Sequence, residues 1–173
     1  TTATEGVSSM DLGFEVTALP PCDPPSEGEE APDFVRPLVN NEYWEDAALS
    51  ELVPALVVFY PMNGSFPATY IWQEVEERGW DEDETVVGVT ASTPYSHKRF
   101  LDERDVDARL FADPSNGAAR EWGIAHELDG MNGVEEPRPA VFYLDPDRRV
   151  EYAWVADEYP EFPPYDEIDG VVG

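Results

Sequence analysis

The sequence has almost no cysteine and almost no lysine. Its 173 residues contain Cys22 as the single cysteine and Lys98 as the single lysine. One cysteine excludes a disulfide within the chain, and His97 and His126 are too far apart in the sequence to indicate a zinc site. We therefore expect a fold that needs neither a disulfide nor a metal, and we expect no cofactor.

Basic charge is scarce as a whole. Lys and Arg total 10 against 38 Asp and Glu, which gives a formal net charge of −28. The densest basic positions are the pairs 98–99 and 148–149. Because so negative a surface repels phosphates and no Lys/Arg cluster offsets it, we expect no nucleic-acid partner.

Long apolar runs are missing too. The longest run, residues 55–60, falls far short of the roughly 20 residues that cross a bilayer. The N-terminus shows no basic region followed by an apolar stretch. We therefore expect no membrane partner, no signal peptide and a cytoplasmic location.

The chain does have enough apolar sequence for a core. Hydrophobic residues make up 42% and aromatic residues 12% of it, which distinguishes it from disordered acidic chains. A charge of this size destabilises a compact state by self-repulsion, whereas molar salt shortens the Debye length to about 3 Å. We interpret the composition as that of a salt-adapted, acidic protein from an organism with multimolar salt in its cytoplasm, as in halophilic archaea.

The character of the sequence changes at about residue 30. Four prolines between positions 20 and 25 exclude a helix or a central strand there. We predict an extended, acidic, proline-rich segment over residues 1–30, with residues 1–9 a flexible start or an expression remnant. Residues 31–173 are predicted to form one domain.

Strand and helix patterns alternate within residues 31–173. The predicted strands are 34–39, 43–47, 56–60, 85–90, 109–112, 140–144 and 150–155. The predicted helices are 66–78, one from residue 93, one from 113 or 115 to 122, and one from 165. Tyr95, Phe100 and Leu101 are available for one face of the second helix. This order predicts an α/β, thioredoxin-like fold, with a central mixed β-sheet flanked by helices and an N-terminal β-hairpin extension.

Six short motifs stand in a fixed order between residues 31 and 145. They are Ala31-Pro32-Asp33-Phe34, Val57-Val58-Phe59-Tyr60-Pro61, Ser96-His97-Lys98-Arg99-Phe100, Leu110-Phe111-Ala112-Asp113-Pro114, Trp122-Gly123-Ile124 and the strand from Ala140 to Asp145. In that order they resemble the peroxiredoxins of the alkyl hydroperoxide reductase/thiol-specific antioxidant (AhpC/TSA) group, over about seven-tenths of the chain. The resemblance implies a redoxin fold and, in active members, a thiol peroxidase that a thioredoxin-like partner reduces.

The resemblance also implies where a catalytic thiol would stand. The family pattern P-x-x-x-[TS]-x-x-C places its cysteine in the first turn of a helix, where the helix dipole and an arginine stabilise the thiolate that attacks peroxide. In this sequence the pattern places Pro61, Ser65 and Ala68, with Ala68 at the cysteine position. The arginine that the resemblance implies falls on Pro139, and we expect a small adjustment of the loop to bring the guanidinium of Arg138, one residue earlier, into a degenerate pocket with Pro61 and Ser65. We therefore expect the peroxidatic cysteine to be lost, with an engineered Cys→Ala change as the alternative.

Several of these residues have structural interpretations as well. We interpret Ser65 as a helix N-cap, Pro61 as structural, and Pro139 as a cis-proline that shapes a groove. Cys22 stands between prolines beside Asp23, an acidic setting that disfavours its thiolate, so we expect no redox role for it.

Three functions stay open from the sequence. The first is a peroxiredoxin-like redoxin-domain protein without thiol peroxidase activity. The second is a thiol-dependent, peroxide-reducing antioxidant oxidoreductase, if Ala68 is engineered or Cys22 substitutes for the lost thiol. The third is a non-catalytic binding or interaction module, including a partner of an active paralogue. Aromatic residues such as Tyr43 and Phe66 either fill the core or form an interface, so a homodimer is the candidate assembly.

Overall fold

The structure is a computed structural model that describes residues 16–104 and 106–172. The predicted start at residues 1–9 lies outside this range. The strands are β1 (Thr17–Ala18), β2 (Val35–Val39), β3 (Trp44–Ala48), β4 (Ala55–Phe59), β5 (Val86–Thr90), β6 (Ala108–Ala112), β7 (Ala125–His126), β8 (Glu136–Pro137), β9 (Ala140–Leu144), β10 (Val150–Val155) and β11 (Glu158–Tyr159). The α-helices are α1 (Phe66–Arg78), α2 (Trp80–Asp83), α3 (Pro94–Asp102), α4 (Gly117–Glu121) and α5 (Tyr165–Val172), and Leu49–Glu51 form a 3-10 turn.

A seven-stranded mixed sheet forms the centre of the domain, in the order β10-β9-β4-β5-β6-β2-β3. β4, β5 and β6 run parallel, and the apolar, valine-rich sequences of β4 and β5 predict strands that are buried on both faces. β9 and β10 add an antiparallel hairpin at one edge, and β2 and β3 add another at the opposite edge. The predicted mixed sheet with an N-terminal hairpin is therefore confirmed.

Helix α1 has the predicted bounds because its ends are fixed locally. Pro67 stands in its first turn. The N–H groups there have no acceptor within the helix, so the N–H that proline lacks costs no hydrogen bond. Gly79 ends the helix in the left-handed conformation (φ 70°) and donates its N–H to the carbonyls of Val75 and Glu76. The helix buries Ile71, Trp72 and Val75 in a core cluster with side chains of the sheet.

Helix α3 shows one difference from the sequence prediction. Phe100 and Leu101 are buried, but 75% of Tyr95 is exposed and its ring packs edge-on against Trp44 at 5.2 Å. Tyr95 lies five residues before Phe100, which is about 140° around an α-helix, so the two side chains cannot share a face. The prediction that Tyr95 belongs to the buried face is wrong.

The part of the predicted N-terminal segment that the structure describes, residues 16–30, is named here the N-terminal arm. It is extended, as predicted, and it is bound along its length to the domain. β1 pairs with β11, Asp23 N donates to Gly123 O (3.2 Å), and Gly28 N donates to Val150 O (2.8 Å). The arm therefore runs from the end of the sheet at which α1 begins, where β1 pairs with β11, to the opposite end, where Gly28 meets Val150. Across residues 16–104 and 106–172, no helix has the length and apolarity that a membrane span requires.

Candidate functional site

The loop between β4 and α1 carries the residues that the sequence assigns to a site. Ala68 lies in the first turn of α1 with no exposed surface, packed in the core with Tyr60 and Trp72. Pro61 is buried directly after β4, and its carbonyl accepts a hydrogen bond from Thr90 Oγ1 at 2.5 Å. A methyl group at Ala68 adds packing but supplies no nucleophile, acid or base.

Ser65 stands at the N-cap position but does not cap α1 with its side chain. Its hydroxyl donates to Met62 O at 2.6 Å, and its own N–H donates to the same carbonyl at 3.1 Å. The predicted capping hydrogen bond is therefore wrong. The reason is that the tight turn from Met62 to Ser65 needs the hydroxyl as a donor inside the loop, so it is not aimed at the free N–H groups of the helix.

Arg138 is buried in a different network. Its Nη1 donates to Ala156 O at 3.1 Å, and its Nη2 donates to Pro20 O in the N-terminal arm. Its Nε has no partner among residues 16–104 and 106–172. None of these hydrogen bonds reaches Ser65 or the loop before α1. The hydrogen bond from the guanidinium to Pro20 O attaches the arm to the domain.

The peptide bond before Pro139 is not cis. In the described chain, cis peptide bonds precede Pro54 and Pro160. Arg138 N donates to Ile124 O at 2.9 Å, and Pro139 O accepts from Ala156 N at 3.0 Å. Because the backbone on both sides is already paired as it enters β9, an extended trans bond fits, and the cis prediction is wrong.

A polar network that the sequence analysis did not predict holds the loop before α1. The backbone N–H of Asn63 donates to Ser92 Oγ at 2.9 Å, and its side-chain amide Nδ2 donates to Ser96 Oγ at 3.0 Å. The same Nδ2 lies 2.8 Å from His97 Nδ1, and Tyr60 donates its hydroxyl to Asn63 Oδ1 at 2.8 Å. The Ser96-His97 motif could have indicated it, since buried polar residues need partners.

The tautomer of His97 follows from these partners. Its Nε2 lies 2.9 Å from the carbonyl of Phe111, which can only accept, so Nε2 carries the proton. Nδ1 then accepts from the Asn63 amide. Burial lowers the pKa of His97 to about 4, although the Phe111 carbonyl opposes the shift. The imidazole is therefore neutral at pH 7 and bridges α3, β6 and the loop before α1.

A second cluster of polar side chains, formed by Asp129, Glu136 and Tyr159, joins three separate parts of the chain. Tyr159 donates to Asp129 Oδ2 at 3.4 Å, and Glu136 is 1% exposed with Asp129 as its hydrogen-bonding neighbour. Burial, followed by the hydrogen bond and charge of Asp129, raises the pKa of Glu136 to about 8. Burial also raises the pKa of Tyr159, so its hydroxyl stays a donor. No local spacing in the sequence indicates this group.

Candidate metal sites and thiols are sparse in the described chain. Residues 16–104 and 106–172 contain no cluster of three His, Cys, Asp or Glu side chains that could hold a metal ion. Cys22 is a free, partly buried thiol in the N-terminal arm. Pro61, Ser65 and Ala68 are thus brought together, whereas Arg138 and Cys22 lie in or against the arm.

Comparison with known sequences identifies relatives of this chain. A sequence model described as the AhpC/TSA family matches residues 28–153. The chain is 25% identical over 145 residues to peroxiredoxin Q, chloroplastic, of Oryza sativa subsp. japonica, a match that covers 81% of this chain and 64% of that protein. A protein of the same name from Gentiana triflora is 25% identical over 141 residues, covering 79% and 62%. The chain therefore spans less than two thirds of the length of these curated relatives.

Solved structures share the fold. A thiol peroxidase from Chromobacterium violaceum aligns with a TM-score of 0.72 at 19% identity, covering 87% of this chain and 89% of that one. AhpC of Enterococcus faecalis aligns with a TM-score of 0.70 at 18% identity, covering 86% and 90%. At these identities the likeness is one of fold, and it confirms the predicted thioredoxin-like architecture.

Proposed function

Because the chain belongs to the AhpC/TSA family, we propose that it is a redoxin-fold protein without thiol peroxidase activity, which acts as a binding or interaction module. The observation that carries the proposal is Ala68. It occupies the first turn of α1, directly after the loop from Pro61 to Ser65, and the core encloses its methyl group. A thiolate is the nucleophile of thiol peroxidases, and alanine cannot supply one.

The surroundings of Ala68 support the same proposal. A peroxidatic thiolate needs a nearby cation, but the guanidinium of Arg138 is committed to the carbonyls of Pro20 and Ala156. The hydroxyl of Ser65 donates its hydrogen bond to Met62 O. Cys22, the remaining thiol, lies in the N-terminal arm beside the exposed Asp23.

The first prediction is that the chain as written does not consume hydrogen peroxide. In multimolar KCl with a dithiol reductant or a thioredoxin, we expect no turnover above that of the Cys22→Ser variant. Peroxide loss is followed directly, with an active thiol peroxidase as the positive control. Turnover that Cys22→Ser abolishes would contradict the proposal and favour the alternative, a peroxide-reducing oxidoreductase that uses Cys22.

A matched pair of cysteine variants tests the position of Ala68. In the Cys22→Ser background, Ala68→Cys places a thiol in the first turn of the 13-residue helix α1, and Ala55→Cys places one at an equally buried site in strand β4, away from any helix N-terminus. The helix dipole lowers a thiol pKa below the usual value of about 8.5, so we expect Ala68→Cys to react with peroxide at least about tenfold faster. Equal rates would show that the start of α1 no longer activates a thiol, because the supporting arginine is also gone. If the natural gene encodes cysteine at position 68, the natural protein is the peroxidase and this chain its inactive variant.

We further propose a homodimer formed through the edge of the sheet. β3 is the edge strand, and beside it 52% of Tyr43 and 75% of Tyr95 are exposed, around the half-buried Trp44. Exposed aromatic rings are typical of interfaces. Light scattering in multimolar KCl is expected to give about twice the chain mass of 19.4 kDa for the unaltered chain. Tyr95→Ser should reduce the dimer and Tyr70→Ser, an exposed aromatic of α1, should not; a monomer in all three would rule the dimer out.

The working environment that we propose is a salt-rich cytoplasm. The support is compositional: 38 acidic residues against 10 basic ones, with Lys98 the single lysine. A fold that is lost as KCl rises to molar concentration would contradict it.

A further inference from the structure

A pocket of about 510 Å³ lies between the N-terminal arm and the start of α1. Thr17 and Leu19 of the arm form one side, and Phe66, the first residue of α1, forms another. Residues 126–129 and 159–160 complete the lining. Neither Ala68 nor Arg138 is a lining residue, so the pocket is separate from the position of the lost thiol.

One wall of the pocket continues into a cluster of aromatic rings. The Phe66 ring packs edge-on against Tyr70, with centroids 5.0 Å apart, and against Phe162 at 5.8 Å. Tyr70 and Phe162 are also 5.8 Å apart. Phe66 is 42% exposed and Tyr70 47%, so this cluster borders solvent. Aromatic rings attract cations through the negative charge of their faces.

The lining also carries negative charge that no basic side chain of the described residues neutralises. Glu127 and Asp129 line the pocket, and no ion pair within residues 16–104 and 106–172 includes either of them. Glu136, the protonated neighbour of Asp129, is 1% exposed and is not a lining residue. His126 is the one basic side chain in the lining. Negative charge beside an open pocket, without a basic partner, favours a positively charged ligand.

We propose that this pocket binds a small organic ammonium ion that has no carboxylate, with Asp129 as its charge partner and Phe66 as its aromatic contact. An inorganic cation fits less well, because such ions prefer several oxygen ligands and the described chain holds no acidic cluster that could ligate one. A zwitterion is disfavoured because its own carboxylate would face Glu127 and Asp129. The inference goes beyond the proposed loss of peroxidase activity and does not depend on it.

Choline and two analogues provide the test. Choline carries the cation, its carbon isostere replaces the trimethylammonium group by tert-butyl and is neutral, and glycine betaine adds a carboxylate. Binding to the full chain is measured by calorimetry and by ligand-observed NMR, at constant multimolar KCl so that unspecific attraction to the acidic surface is screened. We expect choline to bind at least about tenfold more tightly than either analogue. Equal affinities, or no choline binding, would overturn the proposal.

Two variants locate the binding. Asp129→Asn should weaken choline binding about tenfold and leave the neutral isostere unchanged, whereas Asp102→Asn, an exposed carboxylate at the end of α3, should change neither. Phe66→Leu keeps an apolar side chain but removes the ring, and should weaken choline binding more than isostere binding. If Asp129→Asn does not fold, the Phe66→Leu result decides. Choline binding that responds to neither variant would contradict this site.

Discussion

Gly88→Ala is expected to lower the free energy of unfolding by about 3 kcal/mol. Gly88 lies in β5 within the parallel part of the sheet, where a Cβ would stand 2.7 Å from Leu110 Cδ2 and 2.8 Å from Trp72 Cζ2. Leu110 and Trp72 are fully buried, so neither side chain can move aside without displacing others. The added methyl group must push α1 away from the sheet.

The measurement is chemical denaturation in multimolar KCl, with Gly170→Ala as the control. Gly170 lies in α5, and nothing would lie within 4 Å of a Cβ added there. Alanine is favoured over glycine within a helix, so the control should be neutral or more stable by up to about 1 kcal/mol. A Gly88→Ala midpoint that matches the unaltered chain would show that the packing between α1 and β5 is looser than these distances indicate.

The consequence of Gly88→Ala reaches the candidate site through α1. Trp72 and Ala68 lie one turn apart on the same buried face of the helix. A shift of Trp72 therefore moves Ala68 and the loop that begins at Pro61. In the Ala68→Cys background, Gly88→Ala should reduce the reactivity of the new thiol even where the protein still folds.

The elements that the sequence predicted best are those whose ends are fixed by neighbouring residues. Helix α1 was predicted over 66–78 and has those bounds, because Pro67 and Gly79 act within one turn of its ends. The hairpin of β9 and β10 also has its predicted bounds, around the turn at residues 145–147. Here the local sequence and the global fold agree.

The predictions that failed concern side chains that can choose between several hydrogen-bond partners, some of them far away in the sequence. Ser65 is in the predicted position, but Met62 O takes its hydroxyl. Arg138 was expected in the pocket of the loop before α1, yet the carbonyls of Pro20 and Ala156, far away in sequence, bind it. The contact between Asp129 and Glu136 likewise depends on the conformation of the loop that joins β7 and β8. A single sequence without an alignment holds no local pattern for such contacts.

His97→Leu is the second large effect, an expected loss of about 3 kcal/mol in the free energy of unfolding at pH 7. The imidazole is fully buried and satisfies the Phe111 carbonyl and the Asn63 amide at once. Leucine fills the volume but leaves both groups without this partner in the core. His97→Gln retains a donor and an acceptor and should lose less, which separates the hydrogen bonds from the packing.

The pH dependence of the same residue gives a sharper measurement. His97 has a pKa of about 4 in the folded chain and 6.5 as its ordinary value. The unfolded chain therefore binds more protons between these values, so the contribution of His97 is fully present above pH 6.5 and is lost as pH falls towards 4. The loss amounts to about 3 kcal/mol, at about 1.4 kcal/mol for each unit of pKa shift.

Comparison of the unaltered chain with His97→Gln isolates this contribution from that of the many carboxyl groups, since both proteins carry the same acids. Glutamine does not titrate, so the stability advantage of the unaltered chain over the variant should shrink as pH falls from 6.5 towards 4 and then reverse in sign. Denaturant titrations at constant KCl measure that difference. A difference that stays constant over this range would mean that His97 is protonated equally in both states. The bridge from α3 to the loop before α1 would then be more open to water than its burial indicates.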